Sequence, residues 1–512
     1  MTQNQALAIL ESGVSVLLTG AAGAGKTYTL NQFIARARED GKVVAVTATT
    51  GLAATHLNGT TLHAWAGIGI HDELPRGFVQ HLSKQRRDII TKADILVLDE
   101  VSMLHDFRLD MVEQVTREVR GVEEPFGGIQ VVLSGDFFQL PPVSRGNARA
   151  GSFVTASEVW LENTFTVCYL HEQYRQADDQ AYSDILNGIR AGLLLPSQLN
   201  ALRARGNQPP TTSVVTRLLT TNADVDTINA QHLDQLDGET HRFEMVTGGG
   251  KKFIESLKKS CLASEVLELK TGALVMCIKN AKDRRYANGS LGQVTGFEEL
   301  TGYPMVKLTS GKTIVMQPDG WELMDGDKRR ASLVQIPLRL AWAITVHKSQ
   351  GMTLDCARVD LSRAFVEGMG YVALSRVTDM KSLTLDGLNG MALRVSPLAR
   401  SIDGELRAKS ELAAQLYAEA FSAWELAEVE RPQKVAKMKE PAPTGDWAAK
   451  ISKMRKEFPN AYTSWSDEDD ARLMTQFEQG STVDQLTQEF GRHPGSIKAR
   501  LKKHLGDDIV VA

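Results

Sequence analysis

Four apolar runs, each bounded by polar or glycine-rich stretches, stand out in the first part of the chain. They are VSVLLTG (14–20), VVAVTA (43–48), ADILVLD (93–99) and IQVVLSG (129–135). Short continuous runs of this kind are typical of strands buried on both faces, as in a parallel sheet. A segment with helical periodicity, YTLNQFIARARED, follows the first run. The pattern predicts an α/β fold built on parallel sheets.

The first apolar run leads through GAAGAGKT, residues 20–27, into that helical segment. Strand, glycine-rich loop and helix in this order match a P-loop, in which backbone N–H groups surround phosphate oxygens. Gly20, Gly23 and Gly25 allow the tight loop. Lys26 is expected to reach the β and γ oxygens, and Thr27 to hold magnesium. The sequence therefore predicts a site for ATP and Mg²⁺, with a plain glycine-rich turn as the alternative.

Carboxylate and amide side chains follow the third and fourth runs, in ADILVLDE and GDFFQLPPV. Ligands of open α/β sheets bind at the carboxyl ends of strands. Asp99 is therefore expected in the magnesium shell, and Glu100 is expected to orient and deprotonate the attacking water. Gln139 is expected to contact the γ-phosphate, and an ordinary loop residue is the alternative.

Eight segments occur in a fixed order between residues 3 and 377: GAAGAGKT, VAVTATTGLAA, TLHAWAGIG, DEVSM, GDFFQLPPV, EQYRQ, HKSQGMTLD and YVALSRV. In this order they resemble the motifs of the petite-integration-frequency (Pif-type) DNA helicase family, a RecD-like branch of helicase superfamily one. DFRLDMVEQVTREVR, residues 106–120, is similar to that family's signature segment. The resemblance implies two RecA-like lobes with ATP in the cleft between them. It also implies single-stranded DNA across both lobes and movement from 5′ to 3′.

The resemblance extends to single residues around the nucleotide. Gln3 resembles the family's adenine-recognising glutamine, and the nearby Gln5 is the alternative. Arg175 of EQYRQ and Arg376 of YVALSR resemble the two arginines that reach the γ-phosphate from the second lobe. A planar guanidinium there stabilises the charge that hydrolysis spreads over the phosphoryl oxygens.

The polar loop HKSQG, residues 347–351, interrupts an apolar stretch, and taken alone it is an ordinary surface turn. In the family it lies at the top of a second-lobe strand, with Lys348 and Gln350 near the nucleotide. Hydroxyl groups at strand and helix ends suit phosphate oxygens. The resemblance implies DNA contacts for His347, Ser349, Thr49, Thr50 and His63, and helix caps or core histidines are the alternative for the residues of the first lobe.

Lobe boundaries follow from the motifs. The first lobe is expected over residues 1–170, with a small wedge insertion at about 67–90. The second lobe is expected over residues 171–240 and 335–429.

The second lobe is interrupted at 241–334, where short alternating strands and the turn signals Asn288–Gly289 and Ser310–Gly311 begin. The resemblance implies that this insertion is an SH3-like barrel that covers the DNA. A purely architectural barrel is the alternative.

A second change of pattern follows the lobes. RPQKVAKMKEPAPTG predicts a mobile basic linker at 430–455. Residues 456–512 are assigned to a separate module, because three short helical periods follow one another there. This module resembles a helix-turn-helix, and an amphipathic helix that contacts protein is the alternative. The basic residues of its third helix are Lys498, Arg500, Lys502 and Lys503.

Composition limits the class of protein. The net charge of −4 excludes a wholly polybasic binder but allows a local charged groove. Four scattered cysteines suggest neither a zinc site nor a disulfide framework. The first residues lack the pattern of a signal peptide, and no apolar run approaches a membrane span. A cytoplasmic protein, monomeric or weakly associating, is expected.

The leading interpretation is an ATP-driven helicase acting on single-stranded and forked or duplex-flanked DNA. One alternative is a P-loop ATPase that serves as a regulatory switch and binds DNA through its C-terminal helices. Another is a protein that retains nucleotide without turnover. Glu100, Arg175 and Arg376 argue against the latter, and HKSQG with YVALSR in one lobe argues against the switch.

Overall fold

The computed structural model describes residues 1–57, 59–69, 72–142, 149, 151–162, 165–208, 215–261, 263–281, 285–286, 288–325, 328–430, 458–460 and 467–505. The chain divides into two compact units, Met1–Val429 and Glu430–Ala512. The expected linker sequence RPQKVAKMKEPAPTG lies outside the described residues.

A six-stranded parallel sheet forms the first lobe, in the spatial order β3-β2-β4-β5-β1-β6. Three of the apolar runs form its centre, and the run at 43–48 forms the next strand, so the prediction of parallel strands is confirmed. The strands are β1 (Val16–Gly20), β2 (Val44–Ala48), β3 (Thr60–Thr61), β4 (Ile95–Asp99), β5 (Gln130–Gly135) and β6 (Thr166–Leu170).

Helices cover both faces of this sheet. Leu17 of β1 belongs to a core that contains Trp65, and Leu18 belongs to a second core with Leu7 and Phe33. Full burial of such side chains stabilises the fold by about 1.5–3 kcal/mol each. The helices of this lobe are α1 (Gln3–Glu11), α2 (Lys26–Glu39), α3 (Gly51–His56), α4 (Leu62–Ala66), α5 (Phe78–His81), α6 (Lys84–Lys92), α7 (Asp106–Arg120) and α8 (Glu158–Leu161).

The chain then forms α9 (Gln180–Ala191), α10 (Pro196–Ala204), β7 (Thr216–Leu219) and α11 (Asn222–Asp234).

An insertion made of antiparallel sheets follows. One sheet has the order β14-β13-β12-β11-β17, a second β15-β16-β9 and a third β10-β8. Ser310–Gly311 forms the turn of the β13–β14 hairpin, as predicted. Asn288–Gly289 lies in a longer connection between β11 and β12. The elements are β8 (His241–Glu244), β9 (Val246–Gly249), α12 (Lys251–Ser260), β10 (Val266–Leu269), β11 (Leu274–Cys277), β12 (Leu291–Phe297), β13 (Pro304–Leu308), β14 (Thr313–Val315), β15 (Asp319–Asp325), β16 (Lys328–Gln335) and β17 (Leu338–Leu340).

A second parallel sheet, in the order β18-β7-β19-β20, forms the other lobe. Its later strands are β18 (Ala343–Thr345), β19 (Ala357–Leu361) and β20 (Leu383–Leu388), and α13 (Met369–Leu374) lies between the last two. Because β17 pairs with β11 of the insertion, the chain returns to the second lobe after Leu340. The sequence had placed this return at 335.

Two long helices end the first unit, α14 (Pro397–Leu416) and α15 (Ala418–Glu430). The sequence assigned them to the second lobe, but they pack on the first. Ala413 is buried beside Leu18 and Phe33, and the Ser410 hydroxyl accepts a hydrogen bond from the Tyr169 N–H of β6 at 2.9 Å. An amphipathic pattern reveals that a helix is covered but not which sheet covers it.

The second unit contains three helices, α16 (Asp467–Glu478), α17 (Val483–Phe490) and α18 (Pro494–Leu505). A small core that includes Leu473, Leu486 and Ile497 joins them. Arg500 of the third helix pairs with Asp470 of the first. No helix in the described part of the chain combines the length and apolarity that a bilayer crossing requires.

Candidate functional site

The loop GAAGAGKT lies between β1 and α2 at the carboxyl edge of the first sheet. Gly23 and Gly25 have φ values of +89° and +85°, which glycine adopts at little cost. A Cβ on Gly20 would lie 2.7 Å from the carbonyl oxygen of Leu170. The Nζ of Lys26 donates to the carbonyl oxygen of Gly20 at 2.9 Å, and burial lowers the pKa of this amine. The loop therefore has the compact geometry that phosphate binding needs.

This loop opens onto a cavity of about 640 Å³ between the two lobes. Segments far apart in sequence converge on it, because the carboxyl ends of both parallel sheets face it. The cavity brings together most of the residues predicted to contact the nucleotide: Gly23, Gly25, Lys26, Thr27, Asp99, Glu100, Gln139, Arg175, Lys348, Gln350 and Arg376.

Two adjacent carboxylates lie at the end of β4. The Oδ1 of Asp99 accepts hydrogen bonds from the Ser134 hydroxyl at 2.8 Å and from the Glu100 N–H at 2.9 Å. Glu100 has φ +55°, which is unusual for a residue other than glycine. Burial raises the pKa of Asp99. Burial and the neighbouring charge of Asp99 raise the pKa of Glu100 to about 7.

The second lobe contacts the Glu100 carboxylate directly. The Nε2 of Gln350, in the HKSQG loop, donates to the Oε2 of Glu100 at 2.9 Å. Gln350 is buried, with 7% of the residue exposed. This bond links the strand that carries the acidic pair to the loop above the second sheet.

The two predicted arginines approach the cavity from different sides: Arg376 belongs to the second lobe, whereas Arg175 lies beside the phosphate loop, where a Cβ on Gly23 would be 2.7 Å from the Cβ of Arg175. The Nη1 of Arg175 donates to the carbonyl oxygen of Ser375 at 2.9 Å, and burial, with the nearby charge of Arg376, lowers its pKa to about 9. Burial likewise lowers the pKa of Arg376. The guanidinium of Arg376 donates hydrogen bonds to the carbonyl oxygens of Val372, Ser349 and Met352 and to the hydroxyl of Ser375.

The two candidate glutamines at the start of α1 have different roles in the structure. Gln5 caps the helix, since its Oε1 accepts the Thr2 N–H at 2.9 Å. The Nε2 of Gln3 donates to the carbonyl oxygen of Ala24 at 3.3 Å, within the phosphate loop. The geometry favours Gln3 for a nucleotide contact.

The hydroxyls predicted to touch DNA make local hydrogen bonds. Thr49 donates to the carbonyl oxygen of Glu100 at 3.0 Å, and the Thr50 hydroxyl accepts the Ala53 N–H at 3.2 Å. Ser349 is fully buried and donates to the carbonyl oxygen of Val346 at 2.8 Å. The structure therefore does not place Ser349 on a surface that DNA can reach, because the tight turn of HKSQG directs its hydroxyl inward.

The two predicted histidines lie in different lobes. His63 in α4 is half-buried, and burial, with the charges of Arg108 and His105, lowers its pKa to about 4. His347 lines the cavity and stacks on the exposed ring of Phe365, with 6.2 Å between ring centroids. Of the two, His347 is the one among the lining residues of the cavity.

Several residues that complete the site were given no role in the sequence analysis. Asp136 pairs with Arg190 of α9 at 2.7 Å, and the Tyr371 hydroxyl lies between Asp136 and the main chain of Ala22. Gln139, which is buried, donates to Asp136 at 3.4 Å. The only sequence signal was that Tyr371 begins the motif YVALSR and Asp136 belongs to GDFFQ.

Comparison with known proteins gives consistent matches. A family profile described as PIF1-like helicase matches residues 3–195, and one described as the DNA helicase Pif1 2B domain matches residues 252–297. The chain is 40% identical over 477 residues to the ATP-dependent DNA helicase Pif1 of Psychrobacter sp. This match covers 81% of this chain and 72% of the relative. It is 38% identical over 391 residues to the human ATP-dependent DNA helicase PIF1, with 75% of this chain and 60% of the relative covered.

Solved structures agree. Bacteroides sp. Pif1 in complex with ADP-AlF4 has a TM-score of 0.70 at 29% identity, and the match covers 80% of this chain and 97% of the other. Bacteroides Pif1 bound to single-stranded DNA has a TM-score of 0.57 at 32% identity, with 80% and 97% covered. The two parallel sheets of the first unit fit the RecA-like lobes of these proteins. The chain therefore belongs to the PIF1-like family of ATP-dependent DNA helicases.

Proposed function

We propose that this chain hydrolyses ATP in the cavity between its lobes and uses lobe closure to move 5′ to 3′ along single-stranded DNA, separating duplex strands as it moves. The observation that carries the proposal is the hydrogen bond between Gln350 and Glu100. It joins the residue suited to activate water with a second-lobe loop that also faces the DNA side. Opening and closing of the lobes would make or break this bond during each cycle.

The phosphate loop and Lys26 would bind the β- and γ-phosphates, and Gln3 would contact the adenine. Arg175 and Arg376 would stabilise the charge that develops on the γ-phosphoryl group. Glu100 would orient the attacking water and accept its proton. Gln139 would contact the γ-phosphate and, through its hydrogen bond to Asp136, link the presence of that phosphate to the buried Asp136.

Mg²⁺ fits the residues present. Both hydrogen bonds described for the Asp99 carboxylate fall on Oδ1, and Thr27 is exposed at the start of α2, on the lining of the same cavity. Magnesium is commonly held by one or two protein oxygens together with substrate phosphates and water. Asp99 and Thr27 would hold the ion, which would neutralise phosphate charge.

DNA would lie above the same cavity, across both lobes. His347 and Thr50, two of the predicted DNA contacts, line this cavity, and the Thr49 hydroxyl is bonded to the carbonyl oxygen of Glu100. His63 remains a predicted contact. Ser349 would act only by fixing the shape of the loop.

The appended parts would modify how DNA is held. The five-stranded antiparallel sheet of the insertion supports an SH3-like barrel that covers the DNA, and the segment around α5 and α6 would form the wedge. The three C-terminal helices would form a helix-turn-helix-like contact for DNA or protein. Arg500 already pairs with Asp470, which reduces the positive charge available for a groove. Cytoplasmic location and a monomeric or weakly associating state remain predictions.

The test compares ATP hydrolysis with and without single-stranded DNA, and strand separation on duplexes with a 5′ or a 3′ tail. The proposal expects strong stimulation by single-stranded DNA and unwinding only of the 5′-tailed duplex. The alternative, an ATPase switch, expects hydrolysis without unwinding. An ATP hydrolysis rate that does not change when single-stranded DNA is added would refute the proposed motor function.

A further inference from the structure

One tyrosine hydroxyl reaches from the second lobe to two parts of the nucleotide site. Tyr371, in α13, is 1% exposed. Its hydroxyl accepts the Ala22 N–H at 2.9 Å and donates to the Oδ2 of Asp136 at 3.2 Å. The Nη1 of Arg190 also donates to this hydroxyl at 3.0 Å. One donated and two accepted bonds use the full capacity of a hydroxyl.

The direction of these bonds is fixed by the buried ion pair behind them. Arg190 and Asp136 lie 2.7 Å apart, with 7% and 1% of their side chains exposed. Burial would raise the pKa of Asp136, but the charges of Arg190 and Lys26 outweigh it and hold this pKa below its usual value. An ionised Asp136 can only accept, so the proton of Tyr371 must point towards it. The lone pairs then face Ala22 and Arg190.

The backbone near Tyr371 also touches the first lobe. Gly368, which precedes α13, has φ +79°, and a Cβ there would lie 2.3 Å from the carbonyl oxygen of Gln139. Only glycine allows so close an approach. The start of α13 is therefore held against the GDFFQ segment at Gly368 and against the phosphate loop at Tyr371.

Arg376 follows directly after α13 and is fixed to it, since its Nε donates to the carbonyl oxygen of Val372 at 2.7 Å. Whatever positions α13 therefore positions this guanidinium. We propose that Tyr371, oriented by Arg190 and Asp136, is a positioning residue that holds the phosphate loop and Arg376 in register for hydrolysis. This rests on the proposed ATPase function.

The test uses the full chain with Tyr371→Phe, which removes the hydroxyl and keeps the ring. The kcat of DNA-stimulated hydrolysis should fall about 5- to 30-fold, the loss expected from misplacing a reacting group without removing it. The KM for ATP should change less than about threefold, because the main-chain phosphate contacts remain.

Ser157→Ala is the matched control. Ser157, at the start of α8, is also fully buried; its hydroxyl donates to the carbonyl oxygen of Val154 at 2.7 Å and accepts the Trp160 N–H at 3.2 Å, with no contact to α13 among its described bonds. This variant should lose a similar amount of thermal stability and keep the wild-type kcat. Equal losses of kcat in the two variants would make the Tyr371 hydroxyl merely structural and overturn the proposal, as would an unchanged kcat in Tyr371→Phe.

A binding measurement separates this proposal from the ATPase assignment. Calorimetry with ADP alone and with ADP plus aluminium fluoride needs no turnover. Tyr371→Phe should bind ADP alone like the wild type. Its gain in affinity when aluminium fluoride is added should be about 5- to 30-fold smaller than the gain of the wild type. Full retention of that affinity would refute the positioning role even if the wild type proved inactive. An inactive wild type would count against the proposed function alone.

Discussion

Gln350 donates a 2.9 Å hydrogen bond to the carboxylate of Glu100 from a position 250 residues later in the chain. Glu100 also has φ +55°, a backbone conformation that costs of order 1–3 kcal/mol and persists only where the surroundings enforce it. The orientation of the carboxylate is therefore set from both lobes. Under the proposed function, in which the same loop contacts DNA, this bond would transmit DNA binding to Glu100.

We expect Gln350→Ala to reduce the stimulation of hydrolysis by single-stranded DNA about tenfold, because the carboxylate loses the second-lobe contact that orients it. Hydrolysis without DNA should change less, and ATP affinity should stay within a few-fold. Steady-state kinetics over a range of DNA concentrations measure all three. An unchanged ratio of stimulated to basal rate would show that the bond does not transmit DNA binding.

Glu100→Gln should separate nucleotide binding from turnover. The substitution keeps the size of the side chain and removes the proton acceptor, so hydrolysis should fall by about 10²- to 10⁴-fold with ATP affinity retained. Lys26→Ala is the comparison variant, because it removes a phosphate contact and should weaken binding itself. Fluorescent nucleotide binding and phosphate release distinguish the two. Equal hydrolysis by Glu100→Gln and the wild type would remove Glu100 from its assigned role.

The local parts of this site could be predicted from the sequence because their signals are local. The run VSVLLTG followed by GAAGAGKT shows a strand, a loop and a helix in order, and ADILVLDE shows a strand ending in two carboxylates. By contrast, the contact between Tyr371 and Ala22 joins residues 349 positions apart. Nothing in the sequence of either segment indicates that the other lies next to it.

Burial of a polar side chain inside a tight turn is equally hard to predict. Ser349 belongs to a polar loop, so its sequence suggests exposure, yet its hydroxyl is satisfied by the main chain of Val346. Single-residue roles near DNA therefore depend on turn geometry that the motif alone does not give. The placement of α14 on the first sheet is a similar case, because its partner is chosen by the tertiary fold.

The two arginines should differ in their effect on stability. Arg175→Ala removes one described hydrogen bond, to Ser375, so Tm should change little. The hydrolysis rate should fall by about 10³- to 10⁵-fold, as it does when arginine fingers are removed. Arg376→Ala should lose turnover and also destabilise the fold by about 3 kcal/mol or more, since it removes the four hydrogen bonds of a buried guanidinium, each worth about 1 kcal/mol. Thermal unfolding and nucleotide affinity check this. Equal Tm values for both variants would contradict it.

Removal of the C-terminal module, by ending the chain near Ala442, should leave the motor intact. The residues assigned to ATP and DNA lie in the first unit. The truncated chain also keeps α15, whose Trp424 donates a hydrogen bond to Glu11 of the first lobe at 2.7 Å. The truncated chain should therefore retain DNA-stimulated hydrolysis and strand separation. Loss of stimulated hydrolysis in a well-folded truncation would defeat this modular interpretation.

The same truncation tests what the module binds. If the third helix contacts duplex phosphates, each lost contact should lower the salt dependence of binding by roughly one unit of slope. Forked DNA should then bind more weakly to the truncated chain, with single-stranded DNA less affected. Because Arg500 is paired with Asp470, Lys498→Ala should reproduce part of this effect in the full chain, and Arg500→Ala should mainly lower the stability of the three helices. Unchanged affinity of the truncated chain for every DNA across a salt series would favour a protein partner for these helices.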